Sequence, residues 1–331
     1  MQILTYLKNN RINFREKLIF SLLQFRKVKS FKSQKKASAE NWNKTNSNIP
    51  KIIWLYWDSN ELPPLIDMCI QQLKELNPNY EVNLLNEQKY SSYIDSLDIS
   101  FKKCGIQAFA DLLRLKLLSK YGGVWMDASI LTFDSLDNIF NNWGLNEAKI
   151  ILFKHPIHTI DEKFPIFENW FIASEKNNIF IREWAIDFEK CLKSDQPRNY
   201  YNENSVENFS KIVQKLPTLD YLMAYVSGQI IHRKLHEAVK IDFFDIEKIG
   251  YSYFYYLGHK KPQGNLFHKL LMIYKSPKKI NPIVKITGFD RIKIQEFQDK
   301  GLINPNSIIG KALNKYYSNK NFLQTDSQKT I

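Results

Sequence analysis

Hydrophobic and polar positions are most legible over residues 108–129, Ala108-Phe-Ala-Asp-Leu-Leu-Arg-Leu-Lys-Leu-Leu-Ser-Lys-Tyr-Gly-Gly-Val-Trp-Met-Asp-Ala-Ser129. At about 100° per residue, Asp111, Arg114, Leu115, Leu117, Leu118 and Tyr121 share one broad helical face, while Lys116 and Lys120 point the other way. Gly122-Gly123 predicts the helix stop, because glycine accepts the left-handed conformation that caps helices. Val124-Trp125-Met126 then reads as a short core strand. Asp127 follows at its exit, the edge at which open α/β sheets bind ligands. Asp111 and Arg114 thus lie on the face expected to be apolar, and burying charge is costly unless the charge is paired or used. Two readings stand at this point. The three charged groups form a site, or Asp111 and Arg114 make a structural i,i+3 ion pair and Asp127 sits in a turn because aspartate suits turns.

The rest of the chain predicts an α/β arrangement. Ile49–Trp57 forms the first strand, with Ile52, Ile53 and Leu55 as core residues and the flat rings of Trp54, Tyr56 and Trp57 near its exit. A proline-opened helix is expected over 63–76, a strand over 80–85 and a helix over 87–94. Strands follow over 149–154 and 166–173, and helices over 179–193 and 219–236. Three segments result: an extension and linker over 1–48, one main domain over 49–318, and a polar tail over 319–331.

Charge alters the picture only at the start of the chain. Residues 1–48 hold eleven Lys or Arg against two Glu and so carry +9 of the +13 net charge of these 331 residues. Their apolar runs fall far short of the ~20 residues that a bilayer span needs, and no small-residue cleavage site marks a signal peptide. A basic amphipathic leader suits an anionic membrane surface, contacted through residues 1–36; packing on the main domain is the alternative. With the leader set aside, the charge excess is mild and no recognition motif points to nucleic acid. Cys69, Cys104 and Cys191 are odd in number and lack metal-ligand spacing, as expected of free thiols in the cytoplasm. His232 and His236 are four apart, but no Glu follows His232 as in zinc hydrolases.

Ile49-Pro50-Lys51-Ile52-Ile53-Trp54-Leu55-Tyr56-Trp57, Pro63-Pro64, Cys69-Ile70, Asn77-Pro78-Asn79-Tyr80-Glu81-Val82 and the 108–129 stretch, in that order, resemble the capsular polysaccharide synthesis glycosyltransferases. These are similar in turn to the wider group of sugar transferases with a DxD motif. The resemblance covers roughly residues 49–180 well. It implies a GT-A fold with a Rossmann-like nucleotide-binding sheet, a nucleotide-sugar donor (a UDP-sugar foremost) and a divalent metal, Mn²⁺ or Mg²⁺. Asp111 and Arg114 match the family's D-x-x-R positions, which hold the donor sugar and ribose, and Gly123 belongs to the adjoining YGG element on the donor side. Asp127 matches the first Asp of DxD, a metal and ribose contact, and Ser129 stands in the third position. A hydroxyl is a weaker ligand for a hard cation than a carboxylate.

Beyond that stretch the resemblance is looser. One of Trp54, Tyr56 and Trp57 stacks on the base, or all three are packing. Trp170, in Glu168-Asn169-Trp170-Phe171, and Asp220 fall on the acceptor side; Asp220 equally suits a helix cap. Lys285, in Lys285-Ile286-Thr287 with His268 upstream, resembles a segment that closes over the diphosphate and would neutralise the leaving group. No carboxylate stands out as a dedicated base, which fits retaining transfer. The acceptor implied is an oligosaccharide or lipid-linked glycan of a capsule or cell surface, met at the inner face of the cytoplasmic membrane. A sugar-phosphate transferase and a non-catalytic membrane-associated scaffold with the same fold are the competing classes.

Overall fold

The computed structural model describes residues 48–95, 97–142, 148–246, 265–278 and 280–327. All but the last residue of the basic leader lies outside them, and so does the contact expected there with membrane. In chain order the elements are β1 (Ile52–Tyr56), α1 (Pro64–Leu76), β2 (Glu81–Leu85), α2 (Ile106–Tyr121), β3 (Gly123–Met126), β4 (Ile130–Thr132), α3 (Leu136–Asn142), β5 (Ile150–Lys154) and β6 (Phe167–Ser174). There follow α4 (Ile179–Lys193), α5 (Phe209–Val213), α6 (Met223–Leu235), β7 (Asp242–Asp245), α7 (Asn265–Met272), β8 (Ile283–Lys285), α8 (Gly288–Asp299) and α9 (Ile308–Ser327). The class is α/β, as expected.

Six strands form the central sheet in the order β2-β1-β3-β6-β5-β7. β1 runs parallel to both β2 and β3, β6 is antiparallel to β3 and β5, and β7 is parallel to β5. The chain therefore leaves β1 toward one edge and returns on its other side, a reversal that opens a crevice at the carboxyl ends of β1 and β3. Both faces of the sheet are covered, so its inner strands read as continuous apolar runs. Trp54, Tyr56 and Trp125 pack into one core with residues of α2, α4 and α6, whereas Ile53, Leu55, Val124 and Met126 pack into the other with residues of α1 and α3. A smaller sheet pairs β4 with β8 in antiparallel register, Ile130 opposite Lys285 and Thr132 opposite Ile283. Leu131, Val284 and Ile286 anchor it to a third core that includes Leu65, Ile294 and Ile309.

Two expected helices differ. Over 87–94 there is only a 3₁₀ turn, Tyr90–Ser92. The Asn86 side chain accepts from the backbone of Gln88 and Lys89 at 3.1 and 2.9 Å, offering the chain a local turn in place of a helix. The helix expected from 219 starts at Met223, after a turn in which Leu222 N donates to Thr218 O at 2.9 Å. Asp220 is therefore not its cap. At the other end of the chain, α9 continues to Ser327.

The glycine stop is a tight joint. Gly123 has φ +97°, and a Cβ there would lie 2.5 Å from the Ile52 carbonyl oxygen of neighbouring β1. Gly288, at the start of α8, has ordinary φ and room, since an added Cβ would meet only the flexible Arg291 tip, 3.5 Å away. Gly123→Ala is expected to destabilise the chain by about 3 kcal/mol through strain and overlap. Gly288→Ala should be neutral or slightly stabilising. Urea midpoints of the two variants check this, and equal midpoints would contradict it.

Candidate active site

α2 carries Asp111 and Arg114 to the carboxyl end of β3. Both are buried, at 3% and 4% exposure, so the charge on the apolar face is real and enclosed. Arg114 Nη2 lies 2.9 Å from Asp111 Oδ1 and 3.5 Å from Asp127 Oδ1. Its Nη1 donates to the Asn169 carbonyl on β6, and its guanidinium plane sits 4.8 Å from the Trp125 ring centroid. Arg114 thus ties α2, β3 and β6 together while facing two carboxylates.

Asp127 leaves β3 with its backbone N–H donating to Trp170 O at 2.9 Å, which extends the β3–β6 ladder by one rung. Its side chain is 29% exposed, the most open of the cluster. Trp125 Nε1 donates to Oδ1 at 3.1 Å, and Lys285 Nζ donates to Oδ2 at 2.5 Å. The pairing of β4 with β8 delivers that lysine: β4 begins three residues after Asp127, and Lys285 is the register partner of Ile130. Burial alone would raise the Asp127 carboxyl, but Lys285 and then Arg114 outweigh it and hold the group below the usual carboxylate range. Asp111 goes the other way. Burial pushes it up to about 6, against Arg114 and with the help of the nearby Asp127 charge.

A third carboxyl joins this edge. Glu168 is buried at 7% exposure, one residue before the Asn169 whose carbonyl receives Arg114. Tyr225 OH donates to its Oε2 at 2.6 Å and His155 Nε2 lies 3.6 Å from Oε1. Burial raises it to about 7, with Tyr225 and Lys285 opposing and Asp127 adding. Tyr221, 58% exposed in the turn before α6, is close enough for the charges of Asp111, Asp127 and Arg114 to act on its phenol.

The structure brings Asp111, Arg114, Asp127, Ser129 and Lys285 together. The other named residues are placed differently. Trp54 is 1% exposed, with Nε1 donating to Gly122 O at 2.9 Å and its ring edge-on to Tyr93. Tyr56 is buried and donates its hydroxyl to Asp58. Trp57, at the exit of β1, holds the Arg291 guanidinium 5.0 Å from its ring. Gly123 shapes the joint before β3. Trp170 is 3% exposed and packs on Phe153, with Lys285 Nζ 5.8 Å from its ring. Asp220 is exposed and faces Arg198 at 3.7 Å. Glu168 and Tyr221 are the residues that sequence reasoning left without a role.

The resemblance implies Mn²⁺ or Mg²⁺ at Asp127 and Ser129. As the side chains stand, the donor set does not fit such an ion. Both Asp127 oxygens are engaged by cations, and Ser129 Oγ donates to Ile286 O at 2.8 Å. The Lys285 ammonium lies between them, 3.5 Å from Ser129 Oγ. Among the described residues no three or more His, Cys, Asp or Glu converge as a metal-holding group.

A groove of about 410 Å³ between α2 and α4 that includes Lys116, Lys120, Arg182 and Glu189 is a competing hollow among the described residues. Its one carboxylate on α4, Glu189, is already taken by Lys116 at 2.8 Å and by the neighbouring Lys193 at 3.0 Å. Nothing there resembles the convergence at Asp127.

Fold and site together define an α/β protein with a charged crevice at the carboxyl edge of its sheet. The chain belongs to the capsular polysaccharide synthesis protein family, whose profile matches residues 3–213. The O-glycosyltransferase braB of Annulohypoxylon truncatum is 28% identical over 160 residues, 42% of this chain and 37% of that protein. The glycosyltransferase afumC of Aspergillus fumigatus is 27% identical over 154 residues, 43% and 37% respectively. The matched stretch thus spans 37% of the length of these curated relatives. Among solved structures, the apo glycosyltransferase GlyE of Streptococcus pneumoniae TIGR4 superposes with a TM-score of 0.39 at 11% identity, covering 82% of this chain and 64% of that one. No helix among the described residues is long and apolar enough to cross a membrane.

Proposed function

We propose that this chain is a glycosyltransferase that moves a sugar from a nucleotide-sugar donor to a glycan acceptor of a capsule or cell surface. The observation that carries the reading is Asp127 at the exit of β3, held between Arg114 of α2 and Lys285 of β8. Family membership and relatives named as glycosyltransferases support it, and the sheet order with one antiparallel strand beside β3 suits the GT-A reading. Lys285 supplies positive charge where a diphosphate leaving group develops negative charge, Arg114 and Asp111 orient the donor sugar, and Tyr221 offers an exposed ring to a sugar at the mouth. These side chains supply the counter-charge to the diphosphate. The basic leader, residues 1–36, would hold the enzyme at an anionic membrane carrying a lipid-linked acceptor.

The test is a calorimetric titration with UDP-, GDP- and CMP-sugars, UDP-sugars first, each with and without Mn²⁺. One nucleotide-sugar is expected to bind, and its nucleoside diphosphate to bind at least tenfold tighter than the nucleoside. Lys285→Met should abolish that difference. No binding by the folded wild-type chain would sink the reading and favour the scaffold. Transfer of the sugar together with its phosphate would favour the sugar-phosphate transferase.

A further inference from the structure

β6 starts at the edge where β3 ends. Met126 is the register partner of Phe171, and the rung from Asp127 N to Trp170 O carries the ladder one residue further. Asn169 and Glu168 therefore overshoot the end of β3, on the side toward which Asp127 emerges. The Asn169 carbonyl is spent on Arg114. Glu168 is not spent in that way: the ion pairs of the described residues give it no lysine or arginine, only His155 at 3.6 Å. A buried carboxyl kept for packing would leave uncompensated charge in the core, which is costly. The groups facing it are Tyr225 from α6, His155 after β5 with the His158 ring 4.0 Å from its own, Lys285 from β8 and Asp127 after β3.

We propose that Glu168 is the proton acceptor of the transfer reaction, a role that rests on the glycosyltransferase reading above. The acceptor's O–H bond breaks and its proton passes to a Glu168 carboxylate oxygen. The acceptor oxygen forms the new bond to the anomeric carbon. The bond from that carbon to the diphosphate breaks, and its electron pair leaves with the diphosphate, opposite Lys285. The phenol of Tyr225 donates to Oε2, which holds the carboxylate in one orientation and favours its ionised form. A carboxyl raised to about 7 is half ionised at neutral pH, where a base both accepts and releases a proton readily.

The experiment uses the full chain and the donor found in the titration, with water as acceptor, and follows nucleotide release from pH 5.5 to 9. Wild-type kcat/KM is expected to rise about tenfold per pH unit below about 7 and to level off above it. Glu168→Gln keeps the Tyr225 hydrogen bond and should lower kcat by 10²–10⁴-fold, abolish the acidic limb and leave donor affinity within twofold. Tyr225→Phe removes a group that lowers the Glu168 pKa, so the limb should move to higher pH. A carboxyl that served packing alone would move neither limb. A Glu168→Gln chain with wild-type kcat and an unchanged limb would overturn the assignment while leaving donor binding, and so the transferase reading, intact. Absence of donor binding by the wild-type chain would overturn both. If Glu168→Gln fails to fold, the Tyr225→Phe limb decides, and an unmoved limb overturns the proposal.

Discussion

Replacing Arg114 with methionine is expected to destabilise the chain by roughly 3–5 kcal/mol, the cost of leaving a buried charge without its partner. Asp111 is 3% exposed and depends on the Arg114 guanidinium at 2.9 Å. Without it the Asp111 carboxyl, already raised to about 6 by burial, loses its main opposing cation and keeps the repulsion of Asp127. The Asn169 carbonyl and the Trp125 ring lose a partner as well. The sign with pH follows from the direction of the shift. An acid whose folded pKa is raised binds more protons in the native state than in the unfolded one, so stability falls as pH rises through the interval between the two. In Arg114→Met that interval widens upward, and the variant should regain stability on going from pH 8 to pH 5.5 relative to wild type. Asp111→Asn combined with Arg114→Met removes both charges and should recover most of the loss. Urea titrations at the two pH values check this. A loss below 1 kcal/mol at pH 8, with no pH dependence, would show that the pair is not the enclosed unit described.

Asp127→Asn is expected to do the reverse, sparing the fold and stopping the reaction. The side chain is 29% exposed, and asparagine preserves an acceptor for Trp125 Nε1. The stability cost should be about 1–3 kcal/mol, below that of Arg114→Met, because Lys285, 8% exposed, loses its anion but keeps the asparagine carbonyl as an acceptor. What is lost is the anion that fixes Lys285 and faces Arg114, and with it the preorganised charge around the diphosphate. Removing one such element typically costs 10²–10³ in turnover. Nucleotide release at saturating donor measures it. Turnover within threefold of wild type would remove Asp127 from the machinery.

The helix, the glycine stop, the strand and its terminal Asp could be read because each is a local matter of periodicity and glycine conformation. The boundaries Ile106–Tyr121 and Gly123–Met126 follow that reading closely. Lys285 was reached only through a loose resemblance, since its place depends on β8 pairing with β4 more than 150 residues earlier in the chain. No local pattern encodes such a register. Glu168 appeared in a segment chosen for its tryptophan; its own standing comes from burial against Tyr225 of α6, an element 57 residues away. For Trp54 and Tyr56 of β1 the packing alternative holds, for a physical reason. A strand buried on both faces offers no open ring, and Trp54 fills a core position whose apolar neighbours look the same in sequence whether or not a ligand is near. Asp220 belongs to a turn whose neighbour Tyr221 feels the site charges instead.

On this reading the crevice of Asp111, Arg114, Asp127 and Lys285 holds the donor. A crystal structure of the chain with its tightest-binding nucleotide-sugar tests this most directly. The diphosphate is expected within hydrogen-bonding distance of Lys285 Nζ, at the mouth beside Asp127. Density for the nucleotide in the groove of Lys116, Lys120 and Arg182, with the Asp127 crevice unchanged, would contradict it.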